Sequence, residues 1–116
     1  MGKQEKTTTK TYKVRITSQA LQNIDEITGY IAFINHQPLN AIKVGDAIFS
    51  AIERIELHPY AYKECEELAT KSKMYRRAAC LSWTKVYRIK GHEIVILGII
   101  HSARRPTRLK PLRKVK

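Results

Sequence analysis

The stretch EIVILGIIH, Glu93 to His101, decides how this chain folds. From Ile94 to Ile100 it is apolar throughout, with a single Gly at 98. A strand with one wet face alternates apolar and polar side chains. This one does not alternate, so both of its faces need cover and its place is central or nearly so. It is also far short of the roughly 20 apolar residues that a membrane-spanning helix needs. Just upstream, WTKVYRIKG (Trp83 to Gly91) reads as a second strand, with Lys90-Gly91 as the hairpin turn and Gly available for a positive φ. MYRRAACLS (Met74 to Ser82) reads as a third. The three form an antiparallel meander.

The N-terminal half supplies the cover. TYKVRIT (Thr11 to Thr17) alternates, with Tyr12, Val14 and Ile16 on one face, as a half-buried strand does. Ala20, Leu21, Ile24, Ile27, Ile31 and Ile34 then recur at three and four, which predicts one apolar stripe on a helix. Ser18 or Thr17 fits as its N-cap. Gly29, unfavourable in a helix, suggests a close approach by another element. After the break HQPLN, Pro38 suits a first helical turn. Ala41, Val44, Ile48, Ala51, Ile52 and Ile55 form a second stripe, which His58-Pro59 stops. Two amphipathic helices joined so tightly form an antiparallel hairpin. Residues 60–73 lack periodicity and read as a loop or a marginal helical turn. The expected fold is therefore α+β: an N-terminal strand, an antiparallel helical hairpin, then the three-stranded meander, β-α-α-β-β-β. The first strand lies to one side of the meander.

The chain has 116 residues, which implies one folded domain. Residues 1–10 are polar and basic and expected to be disordered, 11–105 form the domain, and 106–116 form a basic C-terminal tail, expected to be mobile. The net charge of +12 is unevenly spread: +4 over residues 1–15, −5 over 16–70 and +13 over 71–116. Segregation of that kind favours a polyanion or an acidic protein as partner. Cys65 and Cys80 form no C-x-x-C pair and do not read as a zinc site. Free thiols suit a reducing compartment, though one disulfide between them stays open. No apolar core of a signal peptide precedes the first strand, so a cytoplasmic protein without membrane contact is expected, with no cofactor and no metal.

The ordered set of YKVRIT into ALQNIDEITGYI, AIFSAIERIELHPY, YRR, VYRIKG and EIVILGIIHSARR resembles the RelE/ParE superfamily of toxins from bacterial type II toxin–antitoxin modules. The resemblance runs from about Tyr12 to Arg105. It implies two alternative activities. RelE-like members cleave messenger RNA on the ribosome, and ParE-like members poison DNA gyrase without cutting RNA. Either kind is neutralised by a cognate antitoxin and meets operator DNA only through that complex. A homo-oligomer or a heterotetramer with the antitoxin is possible. A third alternative is a toxin that has lost potency and only joins its antitoxin.

Ribonuclease chemistry needs a base, an acid and cations around the phosphate. The resemblance carries the basic residues of that site to Arg76, Arg77 and Arg104, and His101, at the strand end beside Arg104, is a separate candidate. The family's third-strand Arg falls at Thr84, after Trp83, and its tail Tyr falls near Lys110, where this chain has none. Both departures favour the ParE-like reading. A neutral imidazole at His101 could serve as a base, or else simply cap the edge of the core. His36, His58 and His92 fall in breaks and turns and read as surface residues. Tyr87 either stacks on a base or packs half-buried in the sheet. Trp83 either anchors a partner or packs at the core edge. Glu64, Glu66 and Glu67 read as a solvated loop face. Arg76, Arg77, Tyr87, Arg104, Arg105, Arg108 and Lys110 are thus the expected contacts to nucleic acid or target. The tail from Arg104 onward grips phosphates, receives an acidic antitoxin segment, or is an inert solvated end.

Overall fold

The computed structural model describes residues 12–65, 68, 70–80, 82–101 and 110–115. Strand β1 (Lys13–Ile16) leads into helix α1 (Ser18–Gly29), which continues as a π-helical turn over Tyr30–Ile34. Helix α2 (Pro38–Leu57) returns antiparallel, and a 3-10 turn (Pro59–Ala61) leads to a two-residue strand, β2 (Lys63–Glu64). Strands β3 (Tyr75–Cys80), β4 (Trp83–Lys90) and β5 (Glu93–His101) form the meander, and a 3-10 turn (Lys110–Lys114) follows. The sheet order is β1-β5-β4-β3-β2. β1 runs parallel to β5, and the other pairings are antiparallel. The expected α+β order holds, with β2 added where a loop was expected. No described helix is long and apolar enough to cross a membrane.

β5 lies next to an edge strand and is covered on both faces, which accounts for its unbroken apolar run. On one face Ile94, Ile96 and Ile99 join Tyr87, Ile89 and the stripes of α1 and α2. On the other, Val95 and Leu97 join Val86, Tyr75, Cys65, Leu68 and Leu112. We call these the helix side and the tail side. The tail side is closed by the C-terminal turn, whose Leu112 is buried. The described end of the tail, residues 110–115, is therefore docked and not the mobile extension that its charge suggests.

Local chemistry fixes the connections. Thr17 caps α1: its Oγ1 accepts from the Ala20 amide at 3.1 Å and donates to the Ile96 carbonyl at 2.8 Å. One hydroxyl thus starts the helix and ties it to the sheet. Gly91 turns the β4–β5 hairpin at φ +61°, as expected. The β4–β5 register jumps from Val86–Gly98 to Tyr87–Ile96, so Leu97 is an extra residue in β5, a bulge. Beside it the Asn23 side-chain oxygen accepts from the Ile99 amide at 3.0 Å.

Three packing expectations are corrected. Leu21 and Ile34 are exposed, not core. The π-helical turn, closed by Asn35 donating to the Tyr30 carbonyl, changes the helix phase after Ile31 and turns Ile34 outward. Gly29 has open space where a Cβ would stand; it is at Gly45 that a Cβ would meet the other helix, 3.5 Å from the Thr28 methyl. Tyr87, expected to be half-buried at most, is fully buried, as is its neighbour Val86, since both faces of β4 are covered there.

Candidate nucleic-acid and target interface

Arg76 and Arg77 are consecutive on β3, so the pleat sends them to opposite faces. Arg76 pairs in register with Tyr87 on the helix side. Its guanidinium donates to the carbonyls of Tyr62 at 2.9 Å, Lys73 at 3.1 Å and Tyr60 at 3.5 Å, and lies 5.1 Å from the Tyr60 ring centroid. Those bonds tether the chain leaving α2 to the start of β3. Arg76 is therefore an architectural residue, and the expected common surface of Arg76 and Arg77 does not form.

Arg77 is on the tail side, in register with Val86. It lines a shallow cleft of about 430 Å³ with Ala61, Tyr62, Lys63, Ala79 and Thr84. The same face carries Arg88, in register with Tyr75. Arg113 reaches it from the C-terminal turn, its guanidinium 5.7 Å from the Tyr75 ring centroid. Lys63, Arg77, Arg88 and Arg113 thus gather on one face, although they lie up to fifty residues apart in the chain. Sequence reasoning missed Lys63, Arg88 and Arg113. The period-2 alternation of β4 already placed Arg88 with Val86, but Arg113 needed the docking of Leu112. Lys110 opens that turn. Arg104, Arg105 and Arg108, like Glu66 and Glu67, lie outside the described residues.

His101 ends β5 and pairs with Trp83, the rings edge-to-face with centroids 5.1 Å apart. Both line a wide, open cleft of about 910 Å³ between α1 and the C-terminal turn, with Asn23, Glu26, Tyr30 and Leu112 among its walls. Trp83 packs against the helix-side core, so His101 is on the face away from Arg77. Of the groups expected for RNA cleavage, His101 and Arg77 do not converge.

Tyr87 is fully buried, and its hydroxyl donates to the Pro59 carbonyl at 2.6 Å. It has no face left to stack on a base, which removes it from the expected contacts. Burial pushes its phenol above the ordinary Tyr range; the Arg76 charge opposes that shift and Tyr62 adds to it. Thr84 is buried at the floor of the Arg77 cleft, where a longer cation would stand in its place. Among the described residues no group of three His, Cys, Asp or Glu could hold a metal ion.

Comparison with known proteins agrees with this architecture. Residues 14–106 match the family model described as the ParE toxin of the type II toxin–antitoxin system, parDE. A solved chromosomal ParDE toxin–antitoxin system from P. aeruginosa aligns with a TM-score of 0.62 at 20% identity, over 80% of this chain and 98% of that one. The toxin–antitoxin complex RelBE2 from Mycobacterium tuberculosis aligns with a TM-score of 0.52, also at 20% identity, over 78% and 98%. No curated protein matches the chain. At that identity the solved structures establish the fold alone, but the family model covers most of the sequence: the chain belongs to the ParE toxin family of type II toxin–antitoxin systems.

Proposed function

We propose that the protein arrests growth as a binding module that poisons DNA gyrase, and that a cognate antitoxin holds it inactive. The observation that carries the gyrase reading over RNA cleavage is the separation of the candidate groups. Arg77 and His101 stand on opposite faces of the sheet, and Arg76 is engaged by three backbone carbonyls. In-line attack by a 2′-hydroxyl needs base and cation within reach of one phosphate. A face that gathers Lys63, Arg77, Arg88 and Arg113 can instead hold a polyanionic or acidic surface without chemistry. A gyrase–DNA complex offers such a surface.

The antitoxin reading is supported by the cleft between α1 and the sheet end. Ile27, Tyr30, Ile31, Trp83 and Leu112 give it apolar walls, as a groove for an amphipathic helix requires. Both solved structures of the same fold belong to toxin–antitoxin systems. Contact with operator DNA then comes through the antitoxin, and the toxin acts where gyrase does, inside the cell.

The test is a supercoiling assay with purified protein, run beside a translation reaction in which ribosome-bound message is mapped for cuts. The gyrase reading expects supercoiling to stop and message to stay whole. Cut message with supercoiling untouched would replace it with the RelE-like endonuclease, whose rate should then fall in His101→Ala. Absence of growth arrest on expression without antitoxin would mark the chain as a toxin that has lost potency.

A further inference from the structure

The tip of the helical hairpin is a largely apolar surface of low net charge on a strongly cationic protein. Residues 27–45 carry one charged side chain, Lys43. Around the turn between the helices, Phe33 is 77% and Leu39 75% exposed, with Ile34 and Ile42 each more than half exposed. Leu39, Ile42 and Phe49 follow at three and seven, a stripe on the face of α2 opposite its buried residues. The π-helical turn is the device that turns Ile34 outward at the tip, beside an already outward Phe33, and such turns are frequent at functional positions.

We propose that this tip is a docking surface for a second copy of the chain, related by a two-fold axis. The size of the patch suits that occupant. Five side chains, each offering a large part of its surface, bring roughly 600 Å² per copy, close to the ~800 Å² per partner of a standard interface. Charge directs the choice of face. Arg77, Arg88 and Arg113 occupy the tail side of the sheet, while the tip belongs to the helical layer on the other side, so two copies meet there with the least repulsion. Lys43 and Asp46, one turn apart and both exposed within the stripe, give it the paired signs that a self-complementary contact uses. The contact leaves Arg77 and the other cations of the tail side free, and it is independent of what they bind.

Sedimentation velocity of the purified chain tests the proposal. The expected result is a monomer–dimer equilibrium in the micromolar range. It should tighten as salt rises from about 0.05 M to about 0.5 M, because screening removes repulsion while the apolar contact persists. Phe33→Glu and Leu39→Glu should each weaken the dimer at least about tenfold with an unchanged circular dichroism spectrum. Leu57→Glu, exposed farther along the same helix, should leave it intact. Two positions are used so that poor folding of one variant leaves the other decisive. A wild-type chain that is monomeric at all concentrations overturns the proposal, as does a dimer that survives both tip substitutions. A dimer that loosens with salt also overturns it, since that behaviour belongs to a contact between the cationic face and the acids of the helices.

Discussion

At the scale of single residues, neighbours in sequence carry different duties. Arg76 tethers three carbonyls, so Arg76→Ala should lower stability by about 1–3 kcal/mol, as for hydrogen bonds from a charged donor. A thermal melt reads this as a fall of several degrees, before any effect on target binding is considered. Tyr87 makes the complementary tether to Pro59, and Tyr87→Phe should cost about 1–3 kcal/mol by leaving that buried carbonyl without its donor. The same substitution changes the alkaline response. Folding raises the Tyr87 pKa, so its stabilising share is present at neutral pH. It begins to be lost near pH 10, where the unfolded phenol ionises, and the loss grows with further rise in pH. Denaturant titrations of wild type and Tyr87→Phe should therefore converge above about pH 10; curves that stay parallel would contradict the assignment. The alternation of β3 and β4 made half of this legible in the sequence. Placing Arg76 and Arg77 on opposite faces needs only the period of two. That Tyr87 is covered needed the packing of the helices, and that Arg77 shares its face with Arg113 needed the fate of the tail, because charge alone does not tell a docked turn from a free end.

At the scale of elements, the bulge in β5 and the C-terminal turn depend on each other. A Cβ on Gly98 would stand 2.9 Å from Leu112 Cδ2 and 3.2 Å from Asn23 Oδ1. Gly98→Ala should therefore displace the turn and strain the Asn23–Ile99 bond, at about 1–3 kcal/mol. Leu112→Ala should cost about 2–3 kcal/mol through lost burial. Chemical denaturation of the double variant should show less than the sum, since the smaller side chain makes room for the Cβ. Additive costs would mean that the two positions do not share space. The strands, both helices and the capping Thr17 were readable from periodicity and turn chemistry. β2 was not, because two residues carry no period. The π-helical turn was not either, because an apolar stripe looks continuous until one residue too many enters it. Its result, an outward Ile34, is the feature of this turn that sequence periodicity misassigned.

At the scale of the whole molecule, the protein is two layers with different electrostatic characters. Residues 16–70, which include both helices, carry −5, and residues 71–116, which include the meander and the tail turn, carry +13. Binding through the tail side should weaken steeply with salt, while association through the hairpin tip should not. The family places the chain among the toxins of type II toxin–antitoxin systems. The central claim is that Arg77, with the cations around it, meets the target while Arg76 only maintains the fold. The direct measurement is inhibition of gyrase supercoiling by Arg77→Ala at a melting temperature matched to wild type. Half-inhibition should require at least about tenfold more protein, a loss near 1.4 kcal/mol. Unchanged inhibition by that folded variant would contradict the account and move the target contact to another face.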